Sequence, residues 1–178
     1  FRVSLTRLEA QGDGAALVDG QRLDARGIDV CELLLAPNPG EEPKPLARIA
    51  SGGELSRVML AIKRALARID PVPTYLFDEV DSGIGGAVAE SVGRLLKEVS
   101  LERQVVAITH LPQIASFADL HFSVEKQVRN ERTTSRVVAL DDDARTHEIA
   151  RMLAGVEVTR AALKNAEEML GSSRRRRR

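Results

Sequence analysis

Apolar residues recur at helical spacing from Leu55 onward, through Val58, Met59, Ile62, Leu66 and Ile69. That period predicts a long amphipathic helix that begins near Glu54 and is ended by Asp70-Pro71-Val72-Pro73. A second helical stripe, Val88, Val92, Leu95, Leu96 and Val99, follows Gly83-Ile84-Gly85-Gly86. Two short unbroken apolar runs, Thr74-Tyr75-Leu76-Phe77 and Val105-Val106-Ala107-Ile108, have the length and character of buried parallel strands. At the start of the chain, residues 1–8 alternate as a half-buried strand, Gly12-Asp13-Gly14 predicts a turn, and residues 15–18 are expected to pair back on the first strand. Residues 30–36 form a further strand, and residues 37–45, rich in proline, read as a loop. Residues 120–126 and 133–140 read as hairpin strands around Arg129-Asn130-Glu131-Arg132. Asp141-Asp142-Asp143 reads as a solvated turn and helix cap, with His147 on the surface nearby, and Thr159 caps a last helix through Leu170.

Composition narrows the class. The chain is 43% hydrophobic and 29% charged, with no apolar run long enough to span a bilayer, which predicts one compact cytoplasmic domain with a sizeable core. Its single cysteine, Cys31, cannot form an internal disulfide; lying in an apolar run, it is expected to be a buried strand thiol. The formal net charge is zero, but Arg174 to Arg178 hold five of the 26 basic residues. Without them the body is net acidic, which does not suit a nucleic-acid clamp. The arginine run is either a native basic tail, able to add salt-dependent contact with DNA phosphates, or an appended tag.

Three places carry chemistry. Ser51-Gly52-Gly53 stands at the start of the first long helix, where glycine lets backbone N–H groups approach an anion and the helix dipole favours phosphate. Asp78 and Glu79 follow the first apolar run directly, two carboxylates at the C-terminal tip of a strand, where open α/β sheets place ligands. They can divide two tasks: Asp78 holds Mg²⁺ through a water, and Glu79 orients and deprotonates an attacking water. Thr109-His110 ends the second apolar run, so that His110 can donate to a terminal phosphate. The sequence contains no G-x-x-x-x-G-K-[ST] phosphate loop, so a partner segment is expected to supply one.

The order of these motifs resembles the signature motif, Walker B strand, D-loop and H-loop of ABC-type ATPase heads. Longer strings resemble the RecN family of bacterial SMC-like DNA repair proteins. They are Asn38-Pro39-Gly40-Glu41, residues 50–57, Phe77-Asp78-Glu79-Val80-Asp81-Ser82-Gly83-Ile84, Thr109-His110-Leu111-Pro112-Gln113-Ile114-Ala115, and residues 148–155 with Val158-Thr159-Arg160. The resemblance covers roughly residues 36–170.

It implies a mixed α/β ATPase head lobe of the P-loop NTPase superfamily, with a mostly parallel sheet, flanking helices and a β-hairpin. Residues 1–171 would be the head segment that follows a long coiled coil, and 172–178 a basic tail. Phe1 in place of a methionine fits a portion of a longer protein. It further implies ATP and Mg²⁺ as cofactors, with Glu79 and His110 catalytic, Asp78 at the metal, and Ser51, Gly52 and Gly53 reaching nucleotide on a second head. Asp81 would contact that second head, and Gly83 to Gly86 would form a flexible turn there. The implied partners are an N-terminal Walker A segment, a second head and DNA, in a nucleoid-associated protein acting on double-strand breaks. Two alternatives stay open: a head from another SMC-like or ABC-type ATPase, and a non-hydrolysing dimerisation or DNA-bridging module.

Overall fold

The computed structural model describes residues 1–7, 16–18, 21–23, 25, 27–36, 40–48, 51–129, 132–155 and 157–175. The chain forms two compact units, Phe1–Ser51 and Gly52–Arg178.

The first unit is built of short strands: β1 (Arg2–Arg7), β2 (Ala16–Val18), β3 (Gln21–Leu23), β4 (Asp29–Leu35) and β5 (Lys44–Pro45), followed by a 3₁₀ turn at Leu46–Arg48. β1 pairs antiparallel with β4, Leu5 opposite Cys31, and β4 pairs antiparallel with β5. The expected return of residues 15–18 onto β1 is not what forms. β2 pairs with β3 instead, Val18 opposite Gln21, because only Asp19-Gly20 separates them in sequence and that dipeptide favours tight reversal. The predicted turn at Gly12-Asp13-Gly14 lies outside the described residues. Among the residues of this unit whose burial the structure describes, none is buried. Cys31 is accordingly exposed, against expectation: the apolar run of β4 lies in a three-stranded sheet whose faces remain open to solvent.

The second unit opens with α1 (Gly52–Leu66), β6 (Thr74–Phe77), α2 (Gly86–Val99), β7 (Gln104–Ala107) and α3 (Pro112–Ala115). β6 and β7 pair in parallel, from Thr74 opposite Gln104 to Phe77 opposite Ala107, with α2 as the crossover that parallel strands require. This two-stranded sheet is parallel; the other described pairings, in separate sheets, are antiparallel. One core gathers Leu60 of α1, Tyr75 and Phe77 of β6, Val80, and Ala89, Val92, Leu96 and Val99 of α2 with Ile114.

The inward stripe of α2 includes small residues that a search for large apolar side chains passes over. Val88 faces solvent, while Ala89 and Gly93 are buried. A Cβ on Gly93 would lie 2.6 Å from Phe117 Cδ2 and 3.0 Å from Gln113 O, so glycine is what lets α2 close on the segment 113–117.

β8 (Phe122–Arg129) and β9 (Arg132–Ala139) form the expected antiparallel hairpin, and α4 (Asp142–Ala154) and α5 (Arg160–Arg175) pack on each other. Asp141 caps α4 by accepting from Ala144 N at 2.8 Å, so the acidic triplet is a helix start, and His147 is exposed. Thr159 Oγ1 accepts from Ala162 N at the start of α5. Packing here relies on small residues, Ala115, Ala150, Ala162 and Ala166, around Ile149 and Leu170.

α5 runs five residues beyond the predicted stop at Leu170. Ser173 is buried and donates to Ser116 O at 2.8 Å, so part of the supposed tail belongs to the fold. Arg145, also buried, donates through Nη2 to the carbonyls of Ala115, Ser116 and Ala118. Four donations thus hold the end of α3 from two other helices.

Candidate active site

The tips of β6 and β7 lie side by side because the pair is parallel and in register, so both chains leave the sheet on the same edge. Beyond β6 the backbone turns sharply: Glu79 has φ 57°, the left-handed region that costs a non-glycine residue about 1 kcal/mol or more. The turn is held by Ser82 N donating to Glu79 O and Ile84 N to Asp81 O. A cleft of about 430 Å³ results, lined by Asp78, Glu79, Asp81, Ser82, Gly83, Ile108, Thr109 and His110.

Each carboxylate has a distinct setting. Asp78 is exposed, and its Oδ1 accepts from Glu79 N at 2.9 Å, which fixes the side chain at the strand tip. Glu79 is exposed and reaches back over α1, where a Cβ on Gly52 would stand 2.5 Å from its Oε2. Asp81 is buried, only 5% exposed. Its Oδ2 accepts from Thr109 Oγ1 at 2.6 Å and from His110 N at 2.9 Å, and His110 Nδ1 lies 3.0 Å away. Burial alone would push the Asp81 carboxyl up, but donation from Thr109 and His110 outweighs it and leaves the group below its ordinary value.

The structure brings Asp78, Glu79 and His110 into one cleft. Asp81, expected to meet a second head, lies buried against Thr109 and His110 of its own chain.

The first turn of α1 is tied to the same edge. Ser56 Oγ donates to Asp78 O at 2.9 Å, and Arg57 Nη1 donates to Ser82 O at 2.8 Å. Gly53 is buried at that junction, where a Cβ would meet Ser82 Cβ at 2.8 Å and Ser82 O at 2.9 Å. Helix α1 begins at Gly52, so Gly52 and Gly53 occupy its N-terminus and Ser51 directly precedes it. Ser56, Arg57 and Thr109 were given no role from sequence, although all three fall within the strings that carry the family resemblance.

A scan against protein-family models finds no match. Among solved structures, the Smc head domain with a coiled coil and joint from Pyrococcus yayanosii aligns with a TM-score of 0.51 and 31% identity, over 80% of this chain and 23% of that one. The fold and the cleft together thus define a class, the SMC-type ATPase head, of which this chain is a part. Curated relatives are more specific. The DNA repair protein RecN of Streptomyces coelicolor is 52% identical over 148 residues, 83% of this chain and 26% of that protein. RecN of Bacillus subtilis is 45% identical over 166 residues, 92% of this chain and 29% of that protein. The chain is a RecN-family segment, and it spans between a quarter and a third of the length of these two relatives.

Proposed function

We propose that this chain supplies the carboxylate half of an ATP-hydrolysing head, and that a phosphate-loop segment from elsewhere in the same polypeptide supplies the other half. The observation that carries this reading is the convergence of Asp78, Glu79 and His110 on one cleft at the tips of two parallel strands. Glu79, exposed and held by a strained turn, is the base that takes a proton from the attacking water. Asp78 offers a single hard carboxylate, which suits Mg²⁺ when water and phosphate oxygens complete its shell. Bound there, the ion neutralises charge on the phosphates.

Ser51 with the amides at Gly52 and Gly53 forms an anion-seeking helix start, positioned to bind the terminal phosphate of nucleotide on a second head. ATP then joins two heads, and hydrolysis separates them. In the whole protein this cycle serves DNA double-strand break repair, of which the relatives' name supports the DNA repair part.

The need for a partner segment is supported by the sheet itself. Leu76, Val106 and Ile108 form an apolar row on one face of β6 and β7, and they are 67%, 45% and 56% exposed. Nearby, Leu55 and Met59 of α1 are also exposed, although their spacing predicted a core-facing stripe. Such a face normally lies against further structure.

The test is complementation. The purified chain is expected to lack ATPase activity and to gain Mg²⁺-dependent turnover when the phosphate-loop segment is co-expressed with it. Turnover by the chain alone, or none by the complex, overturns the reading.

A further inference from the structure

One oxygen of Asp81 accepts two hydrogen bonds, from the backbone N–H of His110 and from Thr109 Oγ1, and the ring Nδ1 of His110 lies 3.0 Å from the same oxygen. Thr109 Oγ1 in turn accepts from Leu111 N at 3.0 Å. The whole strand-tip loop at 109–111 is therefore folded around this carboxylate. The two ends of the contact differ sharply in exposure. The Asp81 side chain is 6% exposed and that of His110 is 74% exposed, so a buried anchor holds a ring that stands out in the cleft.

We propose that Asp81 is the positioning residue of His110, fixing both the direction of its ring and the nitrogen that carries its proton. An ionised carboxylate has no hydrogen to give, and an unprotonated ring nitrogen 3.0 Å from its oxygen would set lone pair against lone pair, so the approach at Nδ1 favours the hydrogen on that nitrogen. The neutral ring then presents Nε2 to the cleft without a proton, as an acceptor. In this state His110 takes a hydrogen bond from a water or from a protonated phosphate oxygen. It donates to an unprotonated phosphate only after a second proton has been added at Nε2. Asp81, through this contact, selects which of the two exchanges the ring makes, without itself touching the reacting atoms.

The consequence for turnover rests on the ATPase reading of the cleft; the ring's protonation pattern does not. Long-range ¹H–¹⁵N spectra of the ¹⁵N-labelled chain, at a pH where imidazole is neutral, distinguish the two neutral forms by their nitrogen shifts. The chain has three histidines, and His110→Gln identifies the set belonging to this ring. The expected result is the Nδ1–H form for His110 in the wild-type chain, and loss of that pattern in Asp81→Ala. The Nε2–H form in the wild type, or an unchanged Nδ1–H pattern in Asp81→Ala, overturns the proposal. Should the alanine variant not fold, the wild-type spectrum alone decides.

A second arm uses the head completed by its phosphate-loop segment. If Asp81 acts through His110, the double variant Asp81→Ala/His110→Gln loses no more activity than the more damaged single variant, whereas independent roles multiply the two losses. Multiplied losses reject the positioning role. An inactive wild-type complex would instead count against the ATPase reading and leave the spectroscopic answer standing.

Discussion

The Glu79 carboxylate lies over the backbone of Gly52, so close that a Cβ there would stand 2.5 Å from Oε2. Gly53 is confined differently, by Ser82 Cβ at 2.8 Å and Ser82 O at 2.9 Å. The two alanine substitutions are therefore expected to part ways. Gly52→Ala displaces the far end of a flexible side chain, leaving the urea midpoint almost unchanged while turnover of the completed head drops about tenfold or more. Gly53→Ala must push on backbone and is expected to cost about 1–3 kcal/mol in the same unfolding measurement. Equal stability losses at the two positions would contradict this geometry.

Glu79 couples chemistry to strain. Glu79→Gln keeps shape and removes the base, so turnover should fall by about 10²- to 10⁴-fold with nucleotide binding retained. ATP-bound head dimers should then accumulate on gel filtration, and fewer dimers than in the wild type would assign Glu79 another role. Because the residue has φ 57°, Glu79→Gly relieves the backbone. That variant is expected to be inactive yet more stable by up to about 1 kcal/mol.

Asp70 makes stability depend on acid. Lys63 donates to its carboxylate, as does Val72 N, and together they bring the group down to about 2. A folded value lowered in this way contributes stability that is complete above the unfolded carboxylate range, about pH 4, and lost as pH falls toward 2. In Asp70→Asn that contribution is absent at every pH. The gap between wild-type and variant urea midpoints should therefore narrow on going from about pH 5 to about pH 2.5. A gap that stays constant over that range would show that Asp70 titrates at its ordinary value.

Strands and site were legible where local sequence decides them. Residues 74–77 were placed without error because an apolar run between Pro73 and Asp78 has no competing reading. Asp141 and Thr159 were recognised as caps because their oxygens act on amides three residues away. What escaped depended on distant neighbours. The orientation of α1 could not be read from its period, since periodicity finds an apolar stripe but not what faces it; Leu60 is buried while Leu55 and Met59 are not. The inward contacts of Asp81 escaped for a related reason. Its partners at 109 and 110 are nearly thirty residues away and meet it only once β6 and β7 pair.

The C-terminal boundary offers a direct check. Ser173 is 5% exposed and donates to Ser116 O, so truncation after Gly171 removes a buried bond as well as the last helical residues of α5. The truncated chain is expected to lose about 1–2 kcal/mol in urea unfolding. Replacing Ser173 alone with alanine should lose about 1 kcal/mol. If truncation has no effect, residues 172–178 are a dispensable tail after all.

The row of Leu76, Val106 and Ile108 has a consequence for the order of synthesis. A phosphate-loop segment encoded upstream would leave the ribosome first and be waiting when β6 and β7 emerge, so the apolar row would be covered at birth. Expressed without that segment, the chain meets only other copies of itself. Apolar rows beside unpaired strand edges then favour self-association. Isolated, this stretch of polypeptide is expected to self-associate as its concentration rises, nucleotide present or not.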